Sequence, residues 1–211
     1  MQTFFFDLDN TLYPHTARVT EALEEKMNAY VAELAQLDTL DAAKMRQGYF
    51  ERYGTTLRGL QLHHAVDTEA YLARVHDIHI EALVTRNQPL CDLLQPILHQ
   101  SRVFTNSPRE HAVRVLAALG FQDQQWSIID IRATDFQPKP QLAAYEAALR
   151  TAQATPVASV LFEDTLVNLK TAKAIGMQTV YIHPDPTSIT VPSYVDYVYA
   201  DIVAAVRLRC F

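Results

Sequence analysis

The chain has 211 residues, 49% apolar and 20% charged, with a formal net charge of -6. This is the composition of an ordinary globular protein with room for one core and a modest insertion. The acidic balance argues against a nucleic-acid polymer as partner, because such proteins favour basic faces, but it leaves a small anionic substrate open. Cys91 and Cys210 lie too far apart for a disulfide framework or zinc knuckle, and no run of about 18 apolar residues marks a membrane span.

The chain opens on a short apolar run at 3–8 (TFFFDL) that ends in acids. It reads as a buried strand and lacks the basic stretch and cleavable apolar segment of a signal peptide, so the expected location is the cytoplasm. Residues 15–88 change the rhythm. Helical patterns cover Val19–Leu34, Ala42–Tyr53 and Glu69–Val75, with Gly54, Gly59 and Pro89 as turn points and no buried strand between them. Most of Tyr30, Tyr49, Phe50, Tyr53 and Tyr71 are expected in the core of this helical segment rather than in contact with substrate. His76 and His79, one helical turn apart but with no further ligand nearby, are expected to be surface or partly buried residues rather than metal ligands.

From residue 101 onward, short Val-, Ile- and Phe-rich runs recur at 101–105, 127–131, 157–162 and 178–182, with a weaker one at 195–199. Helical patterns separate them: Arg109–Leu119 followed by Gly120, residues 141–150, and Thr165–Ile175 followed by Gly176. Strand–helix alternation of this kind predicts an α/β fold, an open parallel sheet with flanking helices. The expected division is a core of residues 1–14 and 90–211 and a helical cap, 15–89, inserted after the first strand.

Four segments at predicted strand ends carry chemistry. Asp7 and Asp9 stand two apart, so strand geometry aims both to one side, at the carboxyl end where open α/β sheets bind ligands. Adjacent carboxylates repel and persist together when a cation neutralises them; an all-oxygen ligand set favours Mg²⁺. Read alone, such a pair is equally a solvated turn. Glu163 and Asp164 repeat the context after a second strand, although Asp164 or Thr165 also suits a helix cap. Thr105-Asn106-Ser107-Pro108 lies between a strand and a helix start, a place that attracts phosphate, with plain capping by Ser107 as the alternative. Lys139, between Pro138 and Pro140, has a restricted backbone and can fix an ammonium where phosphoryl charge develops.

In their order, Asp-x-Asp-x-Thr, Thr, Lys-Pro and Glu-Asp, these segments resemble the haloacid dehalogenase-like hydrolase superfamily. The resemblance implies a Rossmann-like core with a cap after the first strand. It implies Asp7 as the nucleophile that forms an aspartyl-phosphate and Asp9 as the acid and base. Thr11 supports their loop, Thr105 and the backbone at Asn106 contact phosphate, and Lys139 holds nucleophile and phosphate together. Mg²⁺ is implied at Asp7, the Asp9 carbonyl and Asp164, with Glu163 beside it. Many relatives have a second acid where this chain has Asn168. An acid at Asp9 implies phosphoester cleavage rather than dehalogenation. Phe6–Pro14 together with Tyr53–Leu60 and Val75-His76-Asp77 further resembles the pyrimidine 5′-nucleotidase group, so a nucleoside monophosphate is the expected substrate, with Arg58 of the cap as its expected contact. The neighbouring readings are a sugar-phosphate or phosphoglycolate phosphatase, a phosphoglucomutase-like transferase, and a non-catalytic binding protein.

Overall fold

Phe4 and Phe6 point to one face of the first strand and Phe5 to the other, and all three are buried. A strand apolar on both faces needs cover on both, which is the situation of a parallel sheet wrapped by helices. Burial of each such ring contributes about 1.5–3 kcal/mol. The computed structural model describes residues 2–121 and 126–210. In it the strands β1 (Thr3–Phe6), β2 (Ser101–Phe104), β3 (Ser127–Ile129), β4 (Ser159–Glu163), β5 (Gln178–Ile182) and β6 (Tyr197–Tyr199) form one parallel sheet ordered β3-β2-β1-β4-β5-β6. Phe6 is in register with Val103 on one side and Phe162 on the other. The residues that follow, Asp7, Phe104-Thr105 and Glu163-Asp164, therefore emerge together at the carboxyl ends.

The segment after β1 is helical: α1 (Val19–Ala35), α2 (Thr39–Tyr53), α3 (Thr56–His63) and α4 (Thr68–Val75). They pack on one another around Val31, Leu57, Leu60, Tyr71, Leu72 and Val75. Helix α3 corrects the sequence reading, which placed turn points at Gly54 and Gly59 and left the stretch between them non-helical. Gly54 does end α2, with φ of 86°. Gly59 instead lies inside α3, where a Cβ would come within 2.2 Å of the Tyr49 ring, so the small residue serves helix–helix contact. Thr55 caps α3 by accepting from the Arg58 amide. Short α5 (Ile80–Leu83) and α6 (Gln88–Leu94) follow, and here the packing changes partner: Ile78, Ile80, Val84 and Leu90 join Phe4 and Phe6 against the sheet.

The remaining helices cover the sheet. Helix α7 (Arg109–Leu119) buries Ala112, Val115 and Leu116 on the Phe6 face. Helices α8 (Leu142–Ala152) and α9 (Leu166–Ala174) cover the Phe5 face through Tyr145, Ala148 and Leu169. Helix α10 (Ile202–Arg209) returns to the Phe6 face with Ile202 and Val206. Arg132 helps tie the helical segment to the sheet cover: it bridges Glu69 of α4 and Glu110 of α7, with Asp130 beside it. No helix among the described residues is long and apolar enough to cross a membrane.

Candidate active site

The lysine between two prolines is drawn fully inside: Lys139 is 2% exposed. Its backbone is held by Asn106, whose side-chain oxygen accepts from the Lys139 amide at 2.8 Å and whose amide donates to the Lys139 carbonyl at 3.1 Å. The side chain of Asn106 is thus a clamp on another loop, a role its sequence context did not disclose. The ammonium donates to Asp7 Oδ1 at 2.6 Å and to Glu163 Oε2 at 2.7 Å. Burial alone would lower the Lys139 pKa, but these two carboxylates outweigh it and keep the ammonium charged. Burial and the neighbouring Glu163 push the Asp7 carboxyl up, and Lys139 pulls against them. Asp164 is pushed up to about 6, first by burial and then by Asp7. Thr11 is buried and reaches Asp7 only at 3.4 Å, a weak contact that fits a supporting position.

Oxygens of Asp7, Glu163 and Asp164 lie within 4.8 Å of one another. The one ammonium at these three carboxyls pairs with two of them, Asp7 and Glu163, so the site is short of positive charge, and an all-oxygen donor set matches a hard divalent cation such as Mg²⁺. The carboxylate of Asp9 lies outside this cluster, which leaves only its main-chain carbonyl for an ion. Asn168 is buried beside the site, and its own carbonyl accepts from Tyr145 Oη at 2.7 Å.

The Asp9 carboxylate is committed elsewhere. Its Oδ1 accepts from Tyr13 Oη at 2.5 Å and His111 Nε2 at 2.7 Å, and its Oδ2 from Ser107 Oγ at 2.7 Å. Burial would raise its pKa, but the His111 imidazole and the three hydrogen bonds hold it well below the usual carboxylate range. Two acids two residues apart thus sit in opposite environments, one raised by burial and Glu163, the other lowered by its hydrogen-bond partners. Ser107 is therefore not the cap of α7. The helix start is held from the end of β3, where Asp130 accepts from the Arg109 amide at 3.0 Å. Sequence reasoning missed Tyr13 and His111. The available signal was an imidazole at 111 on the same helical stripe as Val115 and Leu119, a core position occupied by a polar ring.

The carboxyls of Asp7, Asp9, Glu163 and Asp164 face one cavity of about 690 Å³. Asp7, Asp9, Thr105, Asn106, Lys139, Glu163 and Asp164 form its floor, and residues of α1, α2 and α4 close it from the other side. Arg58 does not line it. The residue sits on α3, and the arginines at the cavity are Arg46 and Arg52. Arg46 is pinned by Asn28 Oδ1 at 2.8 Å and Glu24 Oε1 at 3.2 Å. Phe50, expected in a helical core, is instead 48% exposed at the cavity wall.

His76 also lines the cavity, partly buried, with Nδ1 donating to the Leu72 carbonyl at 2.9 Å and its ring centroid 5.0 Å from that of His111. Removal from water, then His111, pushes its pKa from the ordinary 6.5 down to about 4, against weaker opposing pulls from Asp9 and Glu110. The folded state holds it neutral. The associated stability is therefore fully present above pH about 6.5 and is lost as the pH falls toward 4. Urea titrations across that window are expected to show wild type losing about 1–3 kcal/mol more than His76→Gln. Parallel losses in both proteins would refute this.

A parallel sheet with carboxylates and a buried lysine converging at its carboxyl ends, under a helical layer, defines a ligand site of the Rossmann-like kind. The chain belongs to the haloacid dehalogenase-like hydrolases, whose family model matches residues 1–176. It is 23% identical over 199 residues to phosphate metabolism protein 8 of Saccharomyces cerevisiae, a match covering 83% of this chain and 60% of that protein. The chain thus spans about three-fifths of the length of that curated relative. Among solved structures, the HAD-hydrolase YfnB from Bacillus subtilis, bound to magnesium, superposes with a TM-score of 0.62 at 16% identity over 100% of this chain and 99% of its own. An HAD phosphatase from Thermococcus onnurineus gives 0.61 at 14% identity, covering 99% and 97%. The L-2-haloacid dehalogenase from Xanthobacter autotrophicus gives 0.63 at 15%, covering 99% and 98%. At such identities the fold is what is shared.

Proposed function

We propose that this chain is a Mg²⁺-dependent phosphomonoesterase that works through an aspartyl-phosphate on Asp7 and takes nucleoside monophosphates, pyrimidine ones preferred. The observation that carries the reading is the pairing at 2.6 Å of a buried ammonium with Asp7, while Asp9 stands apart in its own hydrogen-bond set facing the same cavity. An Asp7 oxygen attacks phosphorus as the bond from phosphorus to the leaving oxygen breaks, and Asp9 gives that oxygen its proton. Asp9 then takes a proton from the water that attacks the phosphorylated Asp7, releasing inorganic phosphate. A phosphoryl dianion beside Asp9 raises its proton affinity, the direction the first half-reaction needs. Thr105 and Lys139 hold the phosphoryl oxygens, and Asn106 holds Lys139. Mg²⁺, held by Asp7, Asp164 and the Asp9 carbonyl, would supply positive charge to the phosphoryl oxygens.

The phosphatase reading is supported by the likeness to a phosphate metabolism protein and an HAD phosphatase, and the metal by the magnesium bound to YfnB. In this reading residues 15–89 are the cap over the leaving group, and the core is 1–14 with 90–211. The nucleotide assignment is supported by the cap wall. Phe50 offers an exposed ring for a base to stack on, and Arg46 offers a guanidinium already oriented by Glu24 and Asn28.

The test is phosphate release from UMP, AMP, a hexose phosphate and 4-nitrophenyl phosphate, with Mg²⁺ and with EDTA. EDTA is expected to cut turnover by about a hundredfold or more, restored by Mg²⁺. UMP is expected to be preferred, and Arg46→Ala to lower kcat/KM for UMP by about tenfold, or about 1.4 kcal/mol, with little change on the aryl ester. No phosphate from any ester would end the phosphatase reading. A preference for the hexose phosphate would end the nucleotide assignment alone.

A further inference from the structure

The imidazole of His111 belongs to none of the groups that the resemblance assigns. It is 1% exposed, in the first turn of α7. Its Nε2 donates to Asp9 Oδ1, while its Nδ1 is buried with no hydrogen-bond partner among the described residues. An unpartnered buried nitrogen costs about 1–3 kcal/mol, and a leucine at this helical position would fill the space without that cost. A polar ring kept at a core position at that cost points to the hydrogen bond it does make, to Asp9.

That contact has a specific consequence for the carboxylate. Tyr13 and His111 together occupy both lone pairs of Oδ1, whereas among the described residues Oδ2 accepts from Ser107 alone. The group is thereby turned so that Oδ2 retains one free acceptor position, and Asp9 lines the cavity. Of the three donors, Tyr13 and Ser107 belong to loops. His111 is on a helix whose start is fixed by Asp130 and whose stripe is packed into the sheet through Ala112 and Val115. A donor on a rigid element sets an angle more sharply than a donor on a loop.

We propose that His111 is a positioning residue that fixes the Asp9 carboxyl with Oδ2 toward the leaving oxygen, so that the proton departs from Oδ2 as the bond from phosphorus to that oxygen breaks. This rests on the phosphatase reading and deepens it. Its signature is a dependence on how much the leaving group needs a proton. Phenyl phosphate and 4-nitrophenyl phosphate are nearly equal in shape and make the same demands on the cap. Phenolate is the stronger base of the two, so its departure is helped more by protonation.

The experiment measures kcat/KM on both esters for wild type, His111→Leu and His111→Gln. In the glutamine variant the side-chain amide can stand where Nε2 stands. The leucine variant is expected to lose about 10- to 100-fold on phenyl phosphate and less than about threefold on 4-nitrophenyl phosphate. The glutamine variant is expected to recover most of the loss on phenyl phosphate. Circular dichroism and melting establish that each variant is folded. If leucine prevents folding, His111→Asn takes its place, since its shorter amide cannot reach Asp9. Equal losses on the two esters would overturn the proposal, as would a glutamine variant no better than the one that lacks the donor. Failure of the phosphatase reading itself would appear earlier, as wild-type protein that releases phosphate from neither ester with Mg²⁺ present.

Discussion

Asp7→Asn is expected to abolish phosphate release, by at least about a thousandfold in kcat, with a melting temperature close to wild type. The chemical reason is that an amide oxygen is a poor nucleophile and cannot leave as a carboxylate when the acyl phosphate is hydrolysed. The structural reason is that the substitution removes one of three crowded carboxyls while Lys139 keeps its 2.7 Å bond to Glu163, so no buried charge is stranded. Stability and turnover should therefore separate, which distinguishes a reacting group from a structural one. The measurements are a phosphate-release assay and a thermal melt on the same preparation. A variant that retains a tenth of wild-type kcat would remove Asp7 from the role of nucleophile.

Lys139→Met is expected to do the opposite to stability. Methionine matches the length of the stem but leaves Asp7 and Glu163 facing each other inside the protein, without the cation that bonds both at 2.6 and 2.7 Å. Loss of one partner from a buried ion pair costs about 3–5 kcal/mol, because the remaining charge is left desolvated. Urea unfolding at neutral pH should show that loss, and turnover should fall by about a hundredfold or more since the phosphoryl group loses its ammonium. Adding Glu163→Gln to Lys139→Met should return a large part of the stability and none of the activity. Additive effects of the two substitutions on stability would show that the pair is not coupled as the distances indicate.

Much of the sheet could be read directly from the chain because strands buried on both faces appear as short uninterrupted apolar runs. Each of the six runs contains a strand. The acids at their ends followed from where such strands point. The helical insertion was legible as a region and less so in detail. Thr55-Thr56 and Gly59 look like turn residues, yet they lie at the cap and in the interior of α3, because contact with Tyr49 outweighs local preference. That error carried over to Arg58. Its neighbours suggested a loop pointing at substrate, whereas Arg46 and Phe50, within a helix with no evident motif, are the residues at the cavity. His111 was hidden for a related reason: its partner, Asp9, is 102 positions away, and nothing local to a helix announces a contact so distant.

Gly54 carries a consequence for anyone who would exchange parts between relatives. A Cβ at this position would stand 2.9 Å from the Lys139 carbonyl oxygen and 3.0 Å from Pro140 Cδ, and the backbone there has a φ of 86°. The turn that ends α2 and the loop that carries the ammonium are thus fitted to each other without a spare methyl. A chimera that grafts a foreign 15–89 segment onto this sheet inherits that seam. Any donor segment with a side chain at the matching place would push on the peptide that aims Lys139, however well its own pocket suits the new substrate. The two parts are better regarded as a lock milled together with its plate than as interchangeable modules, and a library for altered specificity is best built by varying positions 46, 50 and 53 while glycine is kept at 54.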